Sequence, residues 1–181
     1  MKQKLPAWLT LTLICVVAAA LLSVTNLATR DTIAENALKE ANATLIALLP
    51  ETRSSEERND VTIAMDGDGN VVGYVAKALT QGFGGEIEIT VALLPDGTLA
   101  GISVGGTNFA ETAGLGAKAK EPEFQEQFIG KTLAVSLTKD GGEIEAISGA
   151  TITSTAVVQG VNAAAAAIAQ EIGIVIEGFS D

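Results

Sequence analysis

Histidine is absent from all 181 residues, and cysteine occurs once, at Cys15. The first absence excludes serine–histidine and cysteine–histidine nucleophilic machinery, together with histidine metal sites. The second excludes a disulfide within the chain and cysteine-ligated iron–sulfur clusters. Cationic residues are scarce as well, with 11 lysines and arginines against 22 aspartates and glutamates. So acidic a chain repels a phosphate backbone, and nucleic acid is not an expected partner. The length suits one modest domain plus an appendage.

The appendage is N-terminal. From Leu5 to Thr29 run 25 residues without a charge, where a bilayer-spanning helix needs about 20. Lys2 and Lys4 precede this run, Trp8 sits where an interfacial aromatic would, and Arg30 and Asp31 follow. All 22 acidic residues, but only eight of the 11 basic ones, lie from Asp31 onward. This asymmetry predicts a single-pass protein of the cell (inner) membrane, N-terminus cytoplasmic and C-terminal domain extracytoplasmic. A cleavable signal peptide would have a shorter apolar core and a small-x-small site, which Asn26-Leu-Ala-Thr-Arg does not offer. Cys15 lies mid-span behind bulky Ile14 and reads as a small apolar residue of the helix.

Residues 1–30 thus form the cytoplasmic N-terminus and transmembrane helix, 31–60 a membrane-proximal helix and polar linker, and 61–181 the extracytoplasmic domain. Asp31 is a helix-capping residue type, and Ile33, Ala37, Ala41, Leu45 and Leu48 follow at helical spacing, a helix continuing from the membrane and ending near Pro50. The polar stretch Glu51 to Asp60 reads as a loop. Two hairpins follow. Val61–Met65 and Val71–Lys77 flank the turn Asp66-Gly-Asp-Gly-Asn, and Glu86–Leu94 and Thr98–Val104 flank Pro95-Asp-Gly. The first turn opens like a calcium loop, but Val71 and Lys77 stand at its sixth and twelfth positions, so calcium is rejected. A short helix is expected over 121–129, strands over 133–137 and 143–147, and a long helix from Thr153 to about Glu171. The class is α+β: an antiparallel-strand-rich domain with flanking helices, preceded by one transmembrane helix.

The segment Ser148-Gly-Ala-Thr-Ile-Thr-Ser154 joins an alternating stretch to the last helix. Its small residues let the backbone approach a ligand closely, and the helix start offers unpaired N–H groups suited to one phosphate. No G-x-x-x-x-G-K accompanies it, so it is not a nucleotide P-loop. Read alone, the turn is better explained by Thr153 or Ser154 acting as an ordinary helix cap.

Ser148-Gly149-Ala150-Thr151 resembles the signature of the FMN-binding domain in which flavin mononucleotide is joined by a phosphodiester to threonine. Gly82-Phe-Gly-Gly-Glu-Ile resembles that family's glycine-rich stretch. Glu111-Thr-Ala-Gly-Leu-Gly-Ala-Lys resembles its Glu-Thr-Pro-Gly-Leu-Gly motif, with Phe124 and Phe128-Ile-Gly-Lys following. The likeness covers about residues 71–169. Ala113 stands where the family has proline, and Glu145 where its flavin transferase favours aspartate.

The resemblance implies covalent FMN on Thr151, with Ser148, Gly149, Ala150, Thr153 and Ser154 around it. It implies that Glu111, Thr112, Leu115 and Gly116 shape the flavin's surroundings. Thr112 and Leu115 are the candidates for packing on the ring. Leu115 would otherwise be a core leucine, and Lys118 is either a flavin partner or a solvated lysine. No catalytic residue or metal site is expected. The domain occurs in the G subunit of Rnf complexes and the C subunit of the sodium-pumping NADH:quinone reductase. The implied role is therefore an electron-carrying subunit of an ion-translocating ferredoxin:NAD oxidoreductase. Its partners would be the other membrane and peripheral Rnf subunits, the bilayer, and a flavin transferase during maturation. The quinone-reductase component, a free-standing anchored flavoprotein and a cofactor-free binding module are the alternatives.

Overall fold

The computed structural model describes residues 6–173. The lysines at 2 and 4, on which the orientation rests, lie outside them. The chain divides into two compact units, Met1–Ala43 and Thr44–Asp181.

Helix α1, Ala7–Leu48, is continuous. Asp31 lies inside it and caps nothing, since every backbone group around it is already paired along the helix. The apolar part leaves its side chains exposed. Three of its hydroxyls are paired along the helix: Thr12, Thr25 and Thr29 each donate to the carbonyl four residues back at 2.9 Å. Such internal pairing is what a hydroxyl needs where no water can serve it.

The second unit is built on a five-stranded antiparallel meander, β1-β2-β3-β4-β5. The strands are β1 (Ser54–Arg58), β2 (Val61–Met65), β3 (Val71–Gln81), β4 (Glu86–Leu93) and β5 (Leu99–Gly105). Both expected hairpins form. The polar stretch read as a loop contains β1, an exposed edge strand whose charges suit a position facing water on both sides. Asn59 and Asp60, both at positive φ, make its tight turn into β2.

Strand β4 is buried on nearly its whole length because both faces are covered. Ile87, Ile89, Val91 and Leu93 point into the main core with Val157, Val161, Ala165 and Ile168 of the last helix. Ala92, with Ala64 and Val75, points the other way onto Leu45 and Leu49. A two-residue alternation thus serves two cores at once.

Past β5 the chain makes a single-turn 3-10 helix (Gly116–Lys120), the short α2 (Pro122–Gln125) and another 3-10 turn (Glu126–Phe128). Phe124 and Phe128 are buried edge to face, ring centroids 5.7 Å apart. The final helix, α3, spans Thr151–Ile172, two residues earlier than the sequence suggests. Gly160 lets it lie close on the sheet, since a Cβ there would meet Ile89 Cδ1 at 2.5 Å.

The strands expected over 133–137 and 143–147 do not form. Only one parallel bridge, Leu137 to Ile144, links the two stretches. Side-chain amides take the place of a ladder. Asn162 of α3 accepts from Val135 N–H at 3.0 Å and donates to Val135 C=O at 2.8 Å. Gln127 likewise accepts from Glu145 N–H at 2.7 Å and donates to its carbonyl at 3.4 Å. Alternating apolar residues there serve the core, as a strand would, while the backbone is paired singly.

Candidate functional site

Three segments distant in sequence, the Gly82–Gly85 turn, the Glu111–Lys118 loop and the Ser148–Ser154 turn, converge at the start of α3. Gly149 turns the chain at φ +75°, a conformation cheap only without a Cβ. Ala150 is the N-cap residue, and it supplies no side-chain cap. The amide of Ser154 bonds to Ala150 C=O at 3.0 Å, so the amides of Thr151, Ile152 and Thr153 are the ones left without helical partners. The free donors therefore sit two residues before the Thr153–Thr155 position that a helix starting at Thr153 would give.

The hydroxyls of this turn have different fates. Ser154 is fully buried; its Oγ donates to Ala150 C=O at 3.0 Å and accepts from Ile147 N–H at 2.9 Å. Thr153 is 1% exposed and donates to Glu111 Oε2 at 2.8 Å. Neither acts as a helix cap. Thr151 is exposed at the first helical position, and Ser148 is exposed before it.

Glu111 is half-buried, and its other oxygen, Oε1, accepts from Gly84 N–H at 3.1 Å. Both carboxylate oxygens thus serve the chain itself. The loop behind Glu111 closes on Thr112, whose carbonyl accepts from Leu115 and Ala117 N–H, each at 3.1 Å. Gly116 is buried, Thr112 exposed. Leu115 is not core: it is 43% exposed and lies against Gly149, where a Cβ would meet its Cδ2 at 3.1 Å. Ile152, 57% exposed, adds a second apolar side chain next to Thr151. It lies inside the Ser148–Ser154 segment but was not among the residues expected around the flavin, although an isoleucine between two threonines at a helix start was the available signal. Lys118 is exposed and lines a shallow cleft of about 190 Å³ with Glu121, Phe124, Gln127, Glu145 and Ser148.

This donor set fits a flavin phosphate ester. It joins the exposed hydroxyls of Ser148 and Thr151, three free amides and accessible apolar side chains at one helix start and its neighbouring loop. The fit is to one tethered phosphate, for no lysine or arginine belongs to the turn itself.

Residues 82–166 match the FMN-binding domain family. The chain is 36% identical over 169 residues to the G subunit of the ion-translocating oxidoreductase complex of Methanosarcina acetivorans, covering 86% of this chain and 89% of that one. It is 35% identical to the G subunit of the Na(+)-translocating ferredoxin:NAD(+) oxidoreductase complex of Acetobacterium woodii, over 85% and 86% of the two chains. Among solved structures, the C subunit of the Na(+)-translocating NADH-quinone reductase of Parabacteroides distasonis superimposes with a TM-score of 0.50 at 26% identity. That match spans 61% of this chain and 60% of that one. The three motifs fall within the matched span and meet at one helix start. The chain belongs to the FMN-binding domain family, among the G subunits of ion-translocating oxidoreductase complexes.

Proposed function

We propose that the chain is the electron-carrying subunit of a membrane-bound, ion-translocating ferredoxin:NAD oxidoreductase complex of the Rnf type, with FMN joined by a phosphodiester to Thr151. One observation carries the attachment site. Of three hydroxyls on one helical turn, those of Thr153 and Ser154 are buried and bonded, and that of Thr151 is exposed.

Bound FMN supplies one- and two-electron redox chemistry that no side chain of this domain can. The chain supplies place and surroundings. Thr151 is the tether. The amides of Thr151, Ile152 and Thr153 stabilise a negative phosphodiester at the helix start by about 0.3–1 kcal/mol per favourable contact. Gly149 and Ala150 keep the turn open to the transferase. Leu115 and Ile152 offer apolar surface to the ring, and Thr112 and Gly116 shape the loop that presents Leu115. Ser148 and Lys118 border the adjoining cleft, where Lys118 is a solvated cation and not a flavin ligand.

Covalent retention suits the charge of the domain, because a field set by 22 acidic residues opposes a dianionic phosphate held by hydrogen bonds alone. It also suits an extracytoplasmic site, where free FMN would be lost by dilution. With ferredoxin and NAD on the cytoplasmic side, electrons reach this domain only through partner subunits in the bilayer.

A reporter fused after Asp181 tests the sidedness. It should be active only outside the cytoplasm, and cytoplasmic activity would contradict the proposed topology. Tagged full-length chain should co-purify from its native membrane with the other subunits of a ferredoxin:NAD oxidoreductase. Recovery with the subunits of a quinone reductase instead would favour the quinone-reductase reading.

A further inference from the structure

Among the described residues, Glu111 is the side chain that ties the three motifs together, and its surroundings are built to hold a carboxylate. Oε1 receives the Gly84 amide at 3.1 Å and Oε2 the Thr153 hydroxyl at 2.8 Å, so one group joins the β3–β4 turn to the first turn of α3. Two glycines make the room. A Cβ at Gly82 would collide with Oε1, and one at Gly116 with Oε2. The carboxylate's charge strengthens both hydrogen bonds and is favourably placed beside the first turn of a helix. Each oxygen therefore has a partner within the protein.

We infer that Glu111 is a positioning residue: its carboxylate latches the Gly82–Gly85 turn and the Thr112–Lys118 loop to the start of α3. In doing so it sets where Leu115 and Thr151 stand relative to each other. This rests on the reading of Thr151 as the flavin tether only for its consequence; the latch itself is a property of the polypeptide. The length of the side chain matters, since its two oxygens must meet partners on two different elements, Gly84 at 3.1 Å and Thr153 at 2.8 Å. An amide of the same length can keep both bonds. Glutamine would accept from Gly84 through its oxygen and donate to the Thr153 hydroxyl through its nitrogen.

The test uses the full-length chain and follows hydrogen exchange of the Gly84 amide. Glu111→Ala should speed that exchange at least tenfold, and Glu111→Gln should leave it within about threefold of wild type. Thr153→Val, which frees one oxygen from the other side, should also speed it and carries the test if Glu111→Ala does not fold. Equal Gly84 exchange in wild type and both disrupting variants would overturn the latch.

The second readout is the fluorescence anisotropy of the attached flavin after co-expression with a flavin transferase, with loading checked by intact mass. Glu111→Ala should load FMN yet show lower anisotropy, and Glu111→Gln should restore the wild-type value. Unchanged anisotropy in a loaded Glu111→Ala whose Gly84 amide is released would overturn the positioning role. A wild-type chain without FMN would instead remove the functional reading, and the Gly84 exchange would still decide the latch.

Discussion

The carboxamide of Asn162, on α3, holds both backbone groups of Val135, receiving its N–H at 3.0 Å and giving a hydrogen bond to its carbonyl at 2.8 Å. One side chain thus does for an isolated stretch of backbone what a neighbouring strand does in a ladder. Val135 itself is buried, so its amide and carbonyl have little access to water as substitutes.

Asn162→Leu should therefore destabilise the domain by about 1–3 kcal/mol, the cost of leaving buried polar groups unpaired. Urea denaturation of the full-length chain measures this as a lower midpoint at constant slope. A midpoint unchanged from wild type would mean that water replaces the amide.

Gly160 makes a second, purely steric prediction. With Ile89 Cδ1 at 2.5 Å and Thr80 Cγ2 at 3.2 Å from the place of a Cβ, Gly160→Val overpacks the contact of α3 with β3 and β4. The expected loss is about 1–3 kcal/mol. It should appear in the same denaturation experiment with flavin loading at Thr151 retained, because the contact lies more than two turns from the helix start.

The hairpin turns predict a pH dependence. Asp66 is held below the usual carboxylate range, first by the Asn70 side chain and then by the backbone amides of Asn70, Asp68 and Gly69. Asp96 is lowered by the Thr98 hydroxyl and then by its amide. A lowered folded-state pKa gives stability that is fully present above the unfolded-state value of about 3.9 and is lost as pH falls through the folded-state value. Asp66→Asn and Asp96→Asn should each make the acid-side fall in stability shallower. An acid limb identical to wild type in both variants would show that these turns contribute nothing to it.

Much of the fold was readable because the signals were local. Both glycine-bearing hairpin turns, the apolar N-terminal run and the long helix expected over 153–171 each follow from a few neighbouring residues. The edge strand β1 was not, because Ser-Ser-Glu-Glu-Arg has a loop's composition and is a strand only through pairing with β2. The segments 133–137 and 143–147 misled for the converse reason: their alternation is real, but Asn162 and Gln127 supply the pairing that a ladder would. At the site, the three motifs were legible as motifs. That Glu111 would spend both oxygens on Gly84 and Thr153 was not, since contacts across 27 and 42 residues leave no mark on local spacing. The start of α3 lay two residues earlier than its capping residues suggested, because Ala150 occupies the N-cap without a side-chain bond.

The central claim is that Thr151 carries the flavin, and one comparison tests it most directly. Wild type, Thr151→Ala and Thr153→Ala are each expressed full-length with a flavin transferase, denatured, and assayed by in-gel flavin fluorescence and intact mass. Wild type and Thr153→Ala should both fluoresce and carry the mass of one FMN phosphoester, and Thr151→Ala should show neither. Fluorescence that persists in Thr151→Ala and disappears in Thr153→Ala would contradict the assignment and place the attachment on the hydroxyl that here is buried against Glu111.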